Sequence, residues 1–543
     1  MEALEGRRPL LATACLAALL VAGALARLHG LGRSLWLDEA WVANSVLAPE
    51  LAGMLRYEAW LQTSPPLFLL LVRGVVALFG ETNLAFRLVP AVFSLASLLL
   101  FAALAWRWLR PPAALAALAL FALSPRAALA AASLKPYASD AFSSLAMLAV
   151  GAAYLALPSR RRLAATLAAA AILAPLSFSA PFFLPALLLG VLVRPPRGQR
   201  ASPAHAVAIL ATGALAATAL HLLLVLPNRE ESLLEYFRSG FFPGGGPTEW
   251  IAWIGGRLPV VASFAPGVGR AGRGELALVA LALLGIGDLV RRGRVGDAPA
   301  LARAALLATP IAATLVANLA GVFPIARGNE RVLAFLFPVL ALAAGAGLEA
   351  LARGVARLSP GSSGPAIGRR AEGLAWIAFA ALLAGIGLAA SRGELRGLAL
   401  RPPEEEAEGA VAFLAREVGT LDLLYVHSSM RESFHLYARR TPPSPRHTLL
   451  GEVDWPCCPR GRRWQRDEDP ARTMPLELAR ISAARAGPGR VWVLVTNREG
   501  HFRQRGRRSP ALLERWLAPL GCRRAATTDF PGVRVDRYEC VGS

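Results

Sequence analysis

The sequence predicts an α-helical polytopic membrane protein of about 11 transmembrane helices, with interfacial helices in the first external loop and a C-terminal α/β extracytoplasmic domain. Three observations predict it. Of 543 residues, 55% are hydrophobic and 17% charged, and the mean hydropathy is +0.46, which excludes a purely soluble enzyme of this length. Apolar stretches close to the roughly 20 residues needed to cross about 30 Å of hydrocarbon recur through the first 391 residues. The remainder, 392–543, is far more polar, with 26 basic and 19 acidic residues against 32 and 18 in the much longer segment before it.

The apolar stretches run approximately Leu10 to Ala26, Leu88 to Leu109, Ala113 to Ala130, Ala141 to Leu157, Leu163 to Ser177, Pro181 to Val193, His205 to Leu226, Leu276 to Val290, Ala304 to Val322, Val332 to Leu351 and Leu374 to Ala390. Arginines cluster at Arg7-Arg8, Arg107 with Arg110, Arg160 to Arg162, Arg194 with Arg197 and Arg200, Arg291-Arg292 with Arg294, and Arg369-Arg370. Short cytoplasmic connectors are enriched in such residues. Eleven spans with the N-terminus inside put every cluster on the cytoplasmic side and the tail outside. Two domains follow, 1–391 in the membrane and 392–543 beyond it. The formal charge of +21 is nearly all arginine, in short runs between apolar stretches. Nucleic-acid binding would require a basic face with interleaved aromatics.

The first external loop opens with Ser34-Leu35-Trp36-Leu37-Asp38-Glu39-Ala40-Trp41, two carboxylates between tryptophans at headgroup level. A carboxylate at that depth costs free energy unless it has a partner or a function. One reading makes the pair a helix cap over the start of Ala40 to Ala48; the other makes it catalytic. Pro65-Pro66 then opens an apolar run of about 13 residues that Gly80 can end, too short to span and suited to the interface. Arg87 stands at the external start of the second span.

The second external loop holds Lys135, the single lysine of the chain, in Lys135-Pro136-Tyr137-Ala138-Ser139-Asp140. A compact ammonium with three movable donors suits one phosphate oxygen in a confined place. The connector before the tenth span adds Arg327 and Arg331, and arginine suits bidentate phosphate recognition. Asp38, Glu39, Arg87, Lys135, Asp140, Arg327 and Arg331 therefore all map to the external boundary. An acid pair and several cations there describe a site for an anionic lipid headgroup and a nucleophile that loses a proton. In the tail, Glu404 to Val418 reads as a helix, Leu421 to Val426 and Val491 to Val495 as strands, Pro510 to Leu520 as a helix and Phe530 to Cys540 as a paired segment. Cys457, Cys458, Cys522 and Cys540 suit disulfides in an oxidising compartment better than zinc, because Cys457-Cys458 lacks metal-ligand spacing.

The sequence resembles the polyprenyl-phosphate-sugar-dependent glycosyltransferases of the type C fold, the superfamily of protein O-mannosyltransferases and bacterial aminoarabinose transferases. The resemblance lies in Leu35 to Trp41 after the first span, Pro65-Pro66-Leu67 before a helix ending Phe79-Gly80, Ala85-Phe86-Arg87-Leu88, Ser124-Pro125 followed by Lys135-Pro136-Tyr137, and Arg331 leading into a helix with Pro338. It covers about Ala12 to Leu351. It implies transfer of a monosaccharide from a polyprenyl-phosphate carrier to an extracytoplasmic protein, lipid or polysaccharide, at a bacterial inner membrane. Asp38 is then the base, with Glu39 in support. Lys135, Arg87, Arg331 and Tyr137 are the candidates for the donor phosphate, and Asp140, Arg327, Pro65 and Pro66 further members of the site. No nucleotide and no obligatory metal is implied, although Asp38 and Glu39 together could hold a divalent cation. Many relatives carry His or Lys where this chain has Ser64, which moves phosphate binding toward Lys135 or changes the donor. The competing readings are a lipid-linked-glycan transporter, which would carry its charges near mid-membrane, and a non-catalytic assembly protein anchored by its spans.

Overall fold

In the computed structural model, residues 8–55, 64–192, 203–220, 222, 237–264, 273–326, 329–358, 365–391, 405–451, 478–484, 489–496, 514–515 and 517–541 are described. Val193, His221 and residues 223–226 fall outside them, Leu163 to Ser177 leaves its helix after Leu173, and the rest of the apolar stretches read from the sequence lie mostly in helices. In order these are α1 (Arg8–Leu28), α2 (Leu37–Val46), α3 (Leu51–Leu55), α4 (Pro66–Phe79), α5 (Asn83–Trp108), α6 (Pro111–Ala122), α7 (Pro125–Ala131), α8 (Tyr137–Ala156) and α9 (Arg160–Leu173). They continue with α10 (Leu184–Leu192), α11 (Pro203–Leu220), α12 (Pro247–Val261), α13 (Arg273–Arg294), α14 (Ala298–Leu319), α15 (Phe337–Leu358) and α16 (Pro365–Ser391). Among the described residues, five helices are long and apolar enough to cross a membrane, and six if a bent pair counts as one span. Leu10, Leu99, Leu215, Leu283, Val316 and Ile377 are all more than half exposed along these helices, as expected where the outer face of a bundle meets lipid rather than water.

The bent pair is α6 and α7, inclined by 56°. The sequence reading ran one span through this place. Two local signals end it: Pro125 takes the first position of α7, where its missing N–H costs nothing, and Ser124 Oγ accepts from Ala127 N at 3.2 Å. The carbonyls freed at the bend are taken by Arg27 of α1, whose guanidinium donates to Ala122 O at 2.8 Å and Phe121 O at 3.0 Å. Arg27 also donates to Gly23 O at 2.9 Å and Ser94 Oγ at 3.1 Å, so a fully buried cation is solvated by protein oxygens.

At about 21 Å, the 14-residue α4 is too short to span. Pro66 starts it and Gly80, at φ +81°, ends it. Its Arg73 reaches back to donate to Ala48 O at 2.7 Å and Pro49 O at 3.1 Å, just past the end of α2. Elsewhere α13 and α15 cross so closely that a Cβ at Gly285 would strike Ala343 O, and one at Gly347 would strike Leu281 O.

Beyond 392–404, the chain forms α17 (Ala407–Glu417), β1 (Leu423–Val426), α18 (Arg431–Ala438), β2 (His447–Leu450), β3 (Gly489–Thr496), β4 (Cys522–Phe530) and β5 (Val533–Cys540). The sheet order is β2-β1-β3-β5-β4. β1 runs parallel to β2 and β3, while β5 runs antiparallel to β3 and β4. A disulfide joins Cys522 and Cys540, which face each other across the β4–β5 pair. Cys457 and Cys458 lie outside the described residues.

Candidate functional site

The site begins where α1 gives way to α2. Trp36 precedes α2 in extended conformation, and its N–H is accepted by Glu39 Oε2 at 3.3 Å, the backward half of a capping box. Successive helix residues are separated by about 100° around the axis, so the two adjacent carboxylates face different surroundings. Glu39 points inward and is 1% exposed; Asp38 is half-buried.

Glu39 is fully committed. Its Oε1 accepts from Arg87 Nε at 2.9 Å and Leu134 N at 2.7 Å, and its Oε2 from an Arg87 terminal nitrogen at 2.6 Å. Arg87, one turn into α5, spends its other donors on the backbone of the first loop: Leu31 O at 3.0 Å, Ser34 O at 3.1 Å, and Arg33 O. All five N–H groups of this 2%-exposed guanidinium are thus engaged. Arg87 was expected at the donor phosphate; here it has no donor to spare, and with Glu39 it binds the first loop, the second span and the Lys135 loop into one unit.

Asp38 has a different partner. Its Oδ2 lies 2.8 Å from an Arg331 terminal nitrogen, and both side chains keep some access, 16% and 34%. Arg331 stands in the 3₁₀ turn Glu330–Leu336 that leads into α15, and its guanidinium lies near the rings of Trp36 and Tyr137, at 5.7 Å and 6.0 Å. The neighbouring Glu330 pairs with Arg126 of α7 at 3.4 Å. Lys135 completes the group. Burial lowers its ammonium below the ordinary lysine value, Asp38 opposes that shift, Arg331 adds to it and Glu39 opposes it again. Among the described residues its ammonium has no hydrogen-bond partner, which leaves three donors for a ligand.

The remaining expectations divide. Tyr137 stands beside Arg331. Asp140 turns away to a buried serine cluster, where its Oδ1 accepts from Ser177 Oγ at 2.5 Å and Ser177 bonds Ser179 at 2.7 Å. Pro65 and Pro66 act on the backbone by starting α4. Arg327 lies outside the described residues. A divalent cation shared by the acid pair does not fit these donors, because Glu39 already accepts four N–H groups; Asp38 alone would face it. Among the described residues no group of three metal-ligating side chains occurs.

Sequence reasoning missed the groups that the C-terminal part brings to this loop. Glu405 Oε2 accepts from Leu37 N at 2.9 Å, and Tyr437 Oη accepts from Leu35 N at 2.6 Å. Tyr437 in turn donates to Asn83 Oδ1 at 3.0 Å, Asn83 Nδ2 donates to Glu408 Oε2 at 2.5 Å, Glu408 N donates to Ser34 Oγ at 3.2 Å, and Ser34 Oγ donates to Tyr437 at 3.3 Å, which closes a ring. Burial pushes the Tyr437 phenol well up, so it keeps the proton this ring needs.

Bundle and site together define a polytopic membrane protein that gathers one acid and two cations at one boundary of its helices. Solved structures place that architecture in the type C glycosyltransferase fold. ArnT from Cupriavidus metallidurans, an aminoarabinose transferase, matches in its apo state with a TM-score of 0.52 and 15% identity over 97% of each chain. The same protein bound to undecaprenyl phosphate matches with a TM-score of 0.53, again at 15% identity and 97% of each chain. The chain is also similar to an oligosaccharyltransferase from Archaeoglobus fulgidus, with a TM-score of 0.47 and 13% identity over 88% of this chain and 67% of that one. No protein-family model matches the sequence, and no curated protein matches it.

Proposed function

We propose that this protein is a membrane glycosyltransferase that moves a monosaccharide from a polyprenyl-phosphate carrier to an acceptor outside the cytoplasm. The observation that carries the reading is the convergence of Asp38, Arg331 and the Lys135 ammonium from three separate segments of the bundle. The likeness to ArnT in complex with undecaprenyl phosphate supports the choice of carrier. Asp38 accepts the proton of the acceptor's hydroxyl or amine as its oxygen or nitrogen attacks the anomeric carbon. The bond from that carbon to the phosphate oxygen breaks, the electron pair leaves with the lipid phosphate, and Lys135 and Arg331 hold the charge that develops there. A phosphate leaving group needs no separate acid, and direct displacement inverts the anomeric configuration.

The orientation that goes with this reading places the N-terminus in the cytoplasm and both the site and the C-terminal α/β domain, residues 392–543, outside, in an envelope membrane crossed about 11 times. The arginine runs support it: Arg107 ends α5, Arg160 to Arg162 start α9, and Arg291, Arg292 and Arg294 end α13, while the charged cluster forms at the opposite helix ends. The test is incubation of the purified protein with a panel of polyprenyl-phosphate monosaccharides while release of lipid phosphate is followed. Turnover that Asp38→Asn abolishes at normal expression supports the proposal. An active preparation whose rate is untouched by Asp38→Asn ends it.

A further inference from the structure

We infer that the C-terminal part is the positioning element of the catalytic loop, with Glu405 and Tyr437 holding the backbone on either side of Trp36 and so fixing where Asp38 stands. The inference rests on Asp38 being the base. Leu35 and Leu37 are buried, and among the described residues each has its backbone N–H accepted from outside the first loop. A helix exposes its first N–H groups and is set in direction by what accepts them. For α2, the acceptor at its first residue is a carboxylate that lies 368 positions further along the chain. The acceptor two residues earlier is a phenol 402 positions away. The far end of α2 is held from the same side, where Asn44 Nδ2 donates to Glu432 O at 3.0 Å.

The hold on the loop is also tied to the second span. Tyr437 donates its hydroxyl hydrogen bond to Asn83, the first residue of α5, one turn before Arg87, and Arg87 grips Ser34 O and Glu39. Asp38 is therefore braced on two sides: the membrane helices hold it through the Glu39–Arg87 pair, and the C-terminal part holds it through Leu35 and Leu37. Catalysis by a positioned carboxylate falls steeply with small displacements, so release of one brace slows the chemical step more than it weakens donor binding by Lys135.

The test uses the full chain and a donor that the unaltered protein consumes. Tyr437→Phe removes one oxygen and keeps the ring; Glu405→Ala removes the cap, whereas Glu405→Gln keeps an oxygen acceptor. Tyr437→Phe and Glu405→Ala are expected to lower kcat by roughly tenfold or more with donor KM changed by less than about threefold. Glu405→Gln is expected to restore most of the rate, and hydrogen exchange at residues 34–40 to quicken in the first two variants at an unchanged melting temperature. Unchanged kcat in both, a rise confined to KM, or rate losses that follow melting temperature in all three variants overturns the inference. A protein that turns over no donor of the panel overturns the functional reading instead, and the exchange arm then decides the brace: protection at 34–40 unmoved by either substitution ends it.

Discussion

Replacing Glu39 and replacing Asp38 are expected to do opposite things, although the two residues are adjacent. In Glu39→Gln the side chain keeps its shape, but each Glu39 oxygen accepts two N–H groups, from Arg87 and Leu134 at Oε1 and from Arg87 and Trp36 at Oε2. Whichever way the amide turns, its NH₂ faces two donors. The Arg87 charge then stays buried, with both side chains at 2% exposure, and loses its counter-ion. Breaking such a pair costs about 3–5 kcal/mol, a shift in the folded-to-unfolded ratio between roughly a hundredfold and a few thousandfold. Asp38→Asn breaks one ion pair in which Arg331 keeps 34% exposure, a change of about 1 kcal/mol or less. Thermal unfolding in detergent, followed by tryptophan fluorescence, should show a markedly lowered midpoint for Glu39→Gln and a nearly unchanged one for Asp38→Asn. Lipid-phosphate release should vanish in Asp38→Asn. A stable Glu39→Gln beside an unstable Asp38→Asn would refute the division of roles.

Because burial lowers the Lys135 ammonium, the alkaline limb of kcat/KM is expected below the ordinary lysine range of about 10.4, with activity lost as pH rises through it; Lys135→Arg should carry that limb to higher pH, and a limb that stays in place would detach it from Lys135. Gly347→Ala drives a Cβ into Leu281 O and should cost about 1–3 kcal/mol by overpacking, read as a lower unfolding midpoint. Gly354→Ala on the same helix, with nothing within 4 Å of its Cβ, is the control expected to stabilise slightly or do nothing.

Much of the bundle was legible because hydrocarbon permits so few solutions: the described parts of the apolar stretches are mostly helical, and Pro66 and Gly80 bounded α4 as their backbone chemistry dictates. The bend at Ser124-Pro125 was written in the sequence as a cap and a proline, yet apolar flanks masked it as one span. Asp38, Lys135 and Arg331 could be assembled by side of membrane alone. What adjacency could not tell was which carboxylate would face which cation, since that is settled by helix rotation and by Arg87 arriving 48 positions later. Glu405 and Tyr437 had no local signal, because what they hold at the head of α2 is backbone N–H, which every sequence contains.

Arg27 links the first span to the order in which the chain is made. Its guanidinium finds Ser94 67 positions downstream and the α6 carbonyls 94 and 95 positions downstream. During synthesis the opening hydrophobic segment thus emerges with a cation in its last turn that has only Gly23 O for company and reaches toward the headgroups for the rest of its solvation. The buried seat of that cation exists only after two further segments have been delivered, so the N-terminal helix settles into its final place together with them.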